Sequence, residues 1–489
     1  MLFNSHIFML LFLPLLLAGW YFLNWKKKFQ LAQGYLIGMS LWFYAYANLQ
    51  YLWLLLFSCL IGWLLSCVPE KISSEKGKKV LTGVGCVFHL GLLGYFKYSN
   101  FFLENLNTVF HTDFPMLQIL LPVGISFYTF QQLAYLIDRC RGDAPRDSFF
   151  DYLTFMVYFP QLLQGPILLR SEFMGQLKEP ERRRFHAERF SEGIQFFVFG
   201  LAKKVLLADT LAKAVNYGYS NVSMLDSISA LLLAVGYLTE LYFDFSGYCD
   251  MAVGLGKMIG LEVAENFDAP FHSASVKEFW RRWHMTLGRF FTRYVYIPLG
   301  GNRRGKMRTL CNVMIVMLLS GLWHGAAWTF VLWGFLHGVG MIWDNLEHPH
   351  LPKKWMRQAA TFAYVCMTFV FFRAESIAQG VDVLKSIVSL KWNGFVFQMA
   401  SALDLTEFYM ITKALSMKLP GLLSWFWLGI FVVLIAICFR VLSGKKVSGV
   451  VALQKQKGYG RLYPVLLAVL FTWSMISMTG VSEYLYFSF

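Results

Sequence analysis

The feature that most constrains this chain is a succession of long apolar runs. Each is about 17–20 residues long, the length that a helix needs to cross the roughly 30 Å hydrocarbon core of a bilayer. The first run begins at Ile7 and ends near Leu23. Apolar residues make up 57% of the 489 residues and charged residues only 15%, which is a low share for a soluble protein. The sequence therefore predicts an all-α polytopic membrane protein, and it excludes secreted, cytosolic and intrinsically disordered proteins.

The basic residues indicate how these runs are oriented. We expect about 11–12 transmembrane helices, at approximately 7–23, 31–48, 50–67, 79–98, 117–137, 194–214, 228–246, 309–322, 326–345, 359–373, 423–442 and 462–480. With Lys26–Lys28 in the cytoplasm, the positive-inside rule is met by every other large basic cluster, at 71–79, 139–146, 182–189, 303–308, 353–357 and 445–461. The loop 104–113 and both termini then lie outside.

Charge and cysteine content exclude further classes of protein. The net charge of +15 is explained by the cytoplasmic loops, and no zinc finger, RNP motif or basic coiled coil suggests a nucleic-acid partner. The eight cysteines are scattered without a C-x-x-C pair, so we expect small core residues rather than disulfides or metal ligands. Lys26 to Lys28 follow the first apolar run and no A-x-A cleavage site is present, which predicts a retained span and not a signal peptide.

Two stretches do not fit simple spans. Residues 150–175 are apolar but are interrupted by Pro160, Gly165 and Pro166. They predict a broken or re-entrant segment, whose backbone must be enclosed by protein or water. Residues 262–305 combine charged and aromatic side chains and are too polar to span. The Pro-, Gly- and Asn-rich residues 297–304 at the end of this stretch predict a turn.

Within the second stretch, one amphipathic helix is predicted over 276–296. Aromatic and aliphatic side chains share one face, and Arg282, Arg289 and Arg293 share the opposite face, as in a helix that lies in the membrane interface. His284 lies at the edge of the apolar face. The arginines either anchor the helix at the membrane surface or attract an anionic donor such as a phosphate-bearing thioester carrier, and the pattern leaves both alternatives open.

His324 is the sharpest local feature. It lies between two apolar runs, and an ionisable group at membrane depth is costly unless it faces a cavity or a polar partner. Gly321, Gly325 and two alanines remove side-chain bulk around it, which admits either a closely packed helix or a substrate. His337 is expected to be a satisfied core residue.

Three acidic residues lie in or near another apolar stretch: Glu240, Asp244 and Asp250. Because buried carboxylates need partners, we expect them to form a structural network with nearby arginines.

Taken in order, these segments resemble the membrane-bound O-acyltransferase superfamily, and within it the membrane subunits of alginate O-acetyltransferases. The resemblance includes Arg281-Arg282-Trp283-His284 and Leu322-Trp323-His324-Gly325. All the matching stretches are 93–98, 121–130, 159–161 with 165–167, 248–250, 265–267, 278–284, 297–303 and 322–325. Singly these motifs are weak, but the ordered set is specific and runs almost from end to end. The D-alanyl transfer proteins of teichoic acid modification share the two histidine motifs and typically lack Pro-Leu-Gly-Gly-Asn-Arg, which this chain has at 298–303.

The resemblance implies an O-acyltransferase, expected to be an O-acetyltransferase. It is expected as a single integral membrane domain over 1–489 with a catalytic core at about 117–345, and with re-entrant and interfacial helices around a central tunnel. His324 would be the catalytic histidine and His284 a second functional one. The residues expected to bind substrate lie in the matched motifs: Trp323, Arg281, Arg282, Asn266 and Asp250.

The resemblance also implies substrates and partners. Acetyl-coenzyme A is the expected donor and enters from the cytoplasm, while a polysaccharide acceptor enters from outside. No resident cofactor or metal is expected. The chain would lie in a bacterial cell membrane, in contact with membrane lipid, and would act with an extracytoplasmic acetyltransferase of SGNH type or a similar accessory protein. The sequence has no Gly-x-Ser-x-Gly elbow of its own, so any serine-based second step would take place outside this chain.

Several alternatives stay open from the sequence. His324 either acts as a general base or carries the acyl group itself. Within the same superfamily, the alternative activity is D-alanyl transfer to teichoic acid. From another class, a transporter of the acyl group or glycan would typically show two matching halves with broken helices at corresponding positions. Only one broken segment, at 160–166, is evident in the sequence. A scaffold without chemistry would leave both His324 and His284 dispensable.

Overall fold

The computed structural model describes residues 1–346, 352–442, 446–458, 460, 462–478 and 485. Over these ranges the secondary structure is helical and includes no strand, so the predicted all-α class is confirmed. Six of the described helices are long and apolar enough to cross a membrane: Phe8–Trp25, Leu49–Cys67, Glu75–Phe110, Ser227–Ile259, Lys306–His324 and Pro420–Val441. Two shorter apolar helices are Trp328–Trp343 and Leu462–Ser477. The chain is a multi-pass membrane protein, and the other predicted spans correspond to helices that are shorter or less apolar.

The helices follow one another along the chain in three groups. The first group is α1 Leu13–Trp25, α2 Phe29–Asn48, α3 Leu52–Cys67, α4 Glu75–Leu93, α5 Ser99–Phe110, α6 Ile125–Arg141, α7 Phe149–Val157, α8 Phe159–Leu162 and α9 Arg170–Leu177. The second group is α10 Ala187–Ala202, α11 Asp209–Ser220, α12 Ser227–Ile259, α13 Val276–Arg282, α14 Met285–Phe291, α15 Lys306–His324 and α16 Trp328–Trp343. The third group is α17 Lys354–Arg373, α18 Ile377–Val388, α19 Phe395–Ser401, α20 Tyr409–Lys418, α21 Pro420–Leu442, α22 Val447–Lys457 and α23 Leu462–Ser477.

Tighter and wider helical turns join these elements. The π-helical turns are Phe8–Phe12, Gly94–Tyr98, Lys203–Ala208 and Thr292–Tyr296. The short 3₁₀ turns are Leu49–Tyr51, Pro69–Lys71, Pro180–Arg183, Val222–Met224, Pro270–His272 and Thr406–Phe408. Gly94–Tyr98 and Lys203–Ala208 have a helix directly on each side, so α4 runs into α5 and α10 runs into α11.

The long central helix α12 packs along α10 through glycines. A Cβ on Gly193 would lie 2.7 Å from the carbonyl oxygen of Gly254, and one on Gly200 would lie 2.6 Å from that of Gly247. No side chain fits at either crossing, so the two backbones are in direct contact, as in other membrane helix pairs with small interfacial residues.

Because the helices pack closely, two lysines contact acidic residues of α12. These contacts differ from the predicted network. Lys204 lies 2.6 Å from Asp244 and 2.8 Å from Asp209. Lys203 lies 2.6 Å from Asp250. The carboxylates are paired with lysines, and the expectation of arginine partners for these two aspartates is wrong. The lysines lie in the π turn that follows α10. The sequence alone does not indicate that this turn faces α12.

The predicted broken segment is confirmed. Helix α7 ends at Val157, the single turn α8 follows, and the next helix begins only at Arg170. Residues 154–169 are all buried. A Cβ on Gly165 would collide with the carbonyl oxygen of Pro160. This non-helical backbone is therefore enclosed by protein, as its membrane depth requires.

Other predicted boundaries and placements differ from the structure. The span predicted at 117–137 begins too early, because residues 111–124 are not helical and α6 starts at Ile125, after Pro122 and the left-handed Gly124 (φ 78°). None of the eight cysteines forms a disulfide, and half of them are buried, but Cys311 is exposed rather than in the core. Lys445 and Arg461 of the last basic cluster lie outside the described residues, as do residues 479 and 480 of the last predicted span.

Candidate active site

Helix α15 carries His324 at its C-terminal end. The helix begins at Lys306, in the loop predicted to be cytoplasmic, and His324 is its last residue. Gly325 then takes an extended conformation (φ −157°) and ends the helix. From Arg308 to His324 the helix rises about 24 Å. Only 4% of His324 is exposed, so its imidazole is enclosed deep in the protein.

The small residues around His324 admit a neighbouring helix. A Cβ on Gly321 would collide with the carbonyl oxygen of Phe330, and one on Gly325 would collide with the ring of Phe330. A Cβ on Gly334 would lie 2.5 Å from the carbonyl oxygen of Met317. These glycines therefore let α15 and α16 pack closely, which is the structural alternative that the sequence left open.

His284 lies at a break between two helices, which corrects the single helix predicted over 276–296. Helix α13 ends at Arg282 and α14 begins at Met285. Between them Trp283 is extended, and His284 has a left-handed backbone (φ 45°, ψ 52°). This conformation is uncommon for a residue with a side chain and often accompanies function. The break turns the imidazole inward, where only 1% of His284 is exposed.

Asn266 holds this break in place. Its Oδ1 accepts hydrogen bonds from the backbone N–H (3.0 Å) and the hydroxyl (2.9 Å) of Thr286, and it lies 3.2 Å from Nδ1 of His284. Its backbone carbonyl accepts the N–H of Met285 at 2.9 Å. Because an amide oxygen only accepts, Nδ1 of His284 carries the hydrogen, and in the neutral ring Nε2 carries the lone pair.

The two histidines face each other across a short gap. Their ring centroids are 6.3 Å apart. Aromatic rings surround the pair, with centroids 4.7–6.0 Å from one or the other imidazole: Phe245, Trp323, Trp333 and Phe372. This apolar enclosure excludes bulk water, so charges that develop there are screened less than in solution.

The predicted cationic face is already paired with carboxylates. Arg282 lies 2.8 Å from Glu278. Arg289 forms an ion pair with Glu172. Arg293 lies 3.0 Å from Asp138 and 3.1 Å from Asp143. Arg289 and Arg293 therefore attach residues 285–296 to other parts of the protein, whereas Arg282 is paired within α13. This weakens the hypothesis that the three arginines together attract an anionic donor.

Two cavities lie near the histidine pair. The basic cavity, of about 450 Å³, follows α15 from Thr309 to Ser320, one turn before His324, and Lys277 and Arg281 lie in its wall. The small cavity, of about 50 Å³, is lined by Lys97, Trp323, His324 and residues 121–127. Arg281 is exposed, and within the described residues it forms no ion pair. It is the arginine best placed to meet an anionic substrate.

A third cavity opens beside the site. This lateral cavity, of about 600 Å³, lies between α10, α12 and the C-terminal helices, and Asn266 and Asp250 are in its wall. The predicted site residues are therefore distributed. Trp323, His324, His284 and Asn266 are together, Asp250 is on the lateral side with Lys203, and Arg282 lies outside the three linings.

His337 behaves as predicted for a core histidine. Its Nδ1 accepts the indole N–H of Trp280 at 3.2 Å, and its Nε2 lies 2.9 Å from the hydroxyl of Thr368. Both ring nitrogens are satisfied, and the residue is fully buried.

Sequence reasoning missed several residues of the site. Lys97 and Tyr98 bind the end of α15, Thr286 shares Asn266 with His284, and Ser126 accepts the indole N–H of Trp323 at 3.4 Å. The stretches 93–98 and 121–130 were among those that carried the resemblance, so they marked these regions without indicating roles. Over the described residues, no group of three or more His, Cys, Asp or Glu is arranged to hold a metal ion.

Comparison with known proteins decides the family. Residues 141–375 match the model of the MBOAT, or membrane-bound O-acyltransferase, family. The chain is 35% identical over 423 residues to a peptidoglycan O-acetyltransferase of Helicobacter pylori, and the alignment covers 80% of each chain. The chain belongs to the membrane-bound O-acyltransferase family. It is therefore an O-acyltransferase, and the transporter and scaffold alternatives fall away.

Other relatives of this O-acyltransferase fall into two groups. A probable alginate O-acetylase of Azotobacter vinelandii is 39% identical over 389 residues, which cover 77% of this chain and 76% of that protein. A teichoic acid D-alanyltransferase of Streptococcus thermophilus is 28% identical over 253 residues, which cover 49% of this chain and 58% of that protein. The alginate O-acetylase has the higher sequence identity to this chain and aligns with more of it than the D-alanyltransferase does.

Proposed function

We propose that this acyltransferase moves an acetyl group from a cytoplasmic thioester, acetyl-coenzyme A, to a hydroxyl on the outer side of a bacterial inner membrane. The observation that carries the proposal is the buried pair His284 and His324, with rings 6.3 Å apart. A small cavity is lined by His324, and a basic cavity is lined by Met285, next to His284, and by Ser320, one turn before His324. The catalytic core is proposed to cover about residues 117–345.

In the proposed mechanism His324 is the general base. Its neutral imidazole takes the proton of the acceptor hydroxyl as the oxygen attacks the thioester carbonyl carbon. The tetrahedral oxyanion then collapses, the C–S bond breaks, and the imidazolium returns the proton to the leaving thiolate. Imidazole suits both steps because its pKa is ordinarily near neutral, and such catalysis typically contributes about 10²–10⁴-fold.

His284 is proposed to orient the acyl donor. Asn266 fixes its ring with Nδ1 protonated, which leaves the Nε2 side as a hydrogen-bond acceptor in the neutral ring. Arg281, in the wall of the basic cavity, is proposed to bind donor phosphates, because guanidinium pairs well with phosphate oxygens. Trp323, in the wall of the small cavity beside His324, is proposed to contact the substrate there.

The acceptor is proposed to be a cell-envelope polysaccharide. The names of two relatives refer to peptidoglycan and alginate, which are both glycans rich in hydroxyl groups. An extracytoplasmic partner of SGNH type, with its own serine nucleophile, is proposed to take the acetyl group from this chain and pass it to the glycan.

A direct test uses the purified full chain in detergent with radiolabelled acetyl-coenzyme A. Alginate oligosaccharide and peptidoglycan fragments serve as acceptors, each with and without a candidate SGNH partner. Release of free coenzyme A together with label on the glycan or partner is the expected result, and His324→Ala should abolish both. Transfer only from a D-alanyl carrier thioester, with none from acetyl-coenzyme A, would favour the teichoic acid alternative that the more distant relative represents.

A further inference from the structure

A lysine that is distant in the sequence binds the end of α15. Lys97 lies in the π turn Gly94–Tyr98 between α4 and α5. Its ammonium donates to the carbonyl oxygen of Trp323 at 2.7 Å and to that of His324 at 2.8 Å. The hydroxyl of the adjacent Tyr98 donates to the carbonyl oxygen of Leu322 at 2.5 Å. Two neighbouring side chains therefore satisfy three successive carbonyls.

These carbonyls are the ones that most need a partner. The last carbonyls of a helix have no intrahelical donor, and they concentrate the negative end of the helix dipole. In α15 the chain leaves the helix at Gly325 in an extended conformation, so no further turn covers them. An ammonium and a hydroxyl supply the missing donors.

Burying a charged ammonium group at the position of Lys97 costs free energy. This cost indicates that Lys97 has a role besides capping the helix. A neutral donor is enough to satisfy a carbonyl, as Tyr98 shows. Ionisable groups in the membrane generally have a functional partner, and π turns are rare and frequently occur at functional sites. Lys97 also lines the small cavity together with His324, so it is beside the atoms that react in the proposed function.

We propose that Lys97 is a positioning residue for acyl transfer, which fixes the last turn of α15 and with it the direction of the His324 imidazole. This inference rests on the proposed function, in which His324 is the base. Without the lysine, the last turn frays and the ring moves away from the acceptor hydroxyl. A displacement of about 1 Å at a reacting group can cost about 10²-fold in rate.

The test compares three variants of the full chain in detergent, with acetyl-coenzyme A, the SGNH partner and alginate oligosaccharide present, and follows the release of coenzyme A. Lys97→Met keeps the length of the side chain and removes its donors. Lys97→Arg keeps charge and donors. Lys79→Met changes an exposed lysine of the same helix and serves as the control. We expect Lys97→Met to lower kcat by about 10²-fold while the KM for acetyl-coenzyme A is unchanged, Lys97→Arg to recover most of kcat, and Lys79→Met to match the wild type.

A second arm separates positioning from independent chemistry. Residues that act as a unit are not additive, so Lys97→Met should not lower the residual rate of His324→Ala any further. If it lowers that residual rate as much as it lowers the wild-type rate, Lys97 acts independently and the positioning role is wrong. If Lys97→Met has normal kcat while His324→Ala is inactive, the role of Lys97 is again wrong but the proposed function stands. Near-normal transfer by His324→Ala would instead overturn the proposed function.

A milder variant covers the case in which Lys97→Met does not fold. Tyr98→Phe removes only the hydrogen bond to Leu322, one of the three. We expect kcat to fall by about fivefold with unchanged KM, since one neutral hydrogen bond is worth about 1 kcal/mol. An unchanged kcat in this variant would contradict the proposal that catalysis requires the last turn of α15 to be fixed.

Discussion

Asn266 and His284 are joined by an Oδ1–Nδ1 contact of 3.2 Å, and the same amide oxygen accepts two hydrogen bonds from Thr286. One side chain therefore sets the tautomer of the imidazole and holds the backbone that follows it. The relationship links the break between α13 and α14 to the lateral cavity, in whose wall Asn266 also lies.

Replacing Asn266 by alanine should impair transfer through this link. The backbone N–H of Thr286 loses its buried acceptor, at a cost of about 1–3 kcal/mol, and the ring of His284 is released. We expect kcat to fall by up to about 10²-fold, measured by coenzyme A release. Asn312→Ala is a matched control, because that buried amide caps the carbonyl of Gly301 at 3.0 Å, at the other end of α15. Equal loss of turnover in the two variants at equal melting temperature would contradict the prediction.

Replacing each of the three buried histidines by alanine should affect transfer and stability to different degrees. His324→Ala is expected to fold and insert but to lose at least about 10²-fold in transfer, the lower end for loss of a general base. His284→Ala should lose activity less completely. His337→Ala leaves Trp280 and Thr368 without their partner, so its melting temperature should fall more than its turnover. Transfer rates and detergent-solubilised melting curves of all three variants decide this, and normal transfer in a folded His324→Ala protein would exclude the mechanism.

Among the arginines, only Arg281 should act mainly on donor binding. Arg281→Gln is expected to raise the KM for acetyl-coenzyme A, and high salt should raise the wild-type KM in the same direction because it screens exposed charges. Arg293→Gln breaks the ion pairs with Asp138 and Asp143 and should instead lower the melting temperature. Steady-state kinetics at two ionic strengths measure the effect. The prediction fails if Arg293→Gln changes the KM and Arg281→Gln does not.

The orientation of the chain can be checked by labelling. In a variant with the exposed Cys311 replaced by serine, a cysteine at position 113 should react with a membrane-impermeant maleimide added from outside. A cysteine at position 304 should react only after the membrane is opened. This follows from the basic clusters, which predict a cytoplasmic loop around Arg304. The reverse pattern would invert the proposed direction of transfer.

The sequence predicted the parts of this protein that depend on local pattern. The apolar runs, the interruption at Pro160 to Pro166 and the turn at 297–304 are all read from neighbouring residues, and the structure has them. It did not predict the break at Trp283 and His284. Neither residue is glycine or proline, and the aromatic periodicity continues on both sides.

Contacts between distant residues were also not predictable from one chain. Lys97 reaches a carbonyl 226 positions away, and Lys203 reaches Asp250 across 47 positions. Both depend on how helices meet, through π turns and through glycines such as Gly200 and Gly247. The motifs marked the right regions for the site, but which groups touch is determined by tertiary packing.

The size of the small cavity beside His324 has a consequence for selectivity. At about 50 Å³, it has room for only a few water molecules. A pyranose ring is far too wide for this space, whereas a single hydroxymethyl group on a slender arm fits. If His324 is the base, as proposed, we expect a space of this size to favour primary alcohols carried on flexible side groups, such as a serine side chain, over the crowded secondary hydroxyls of a sugar.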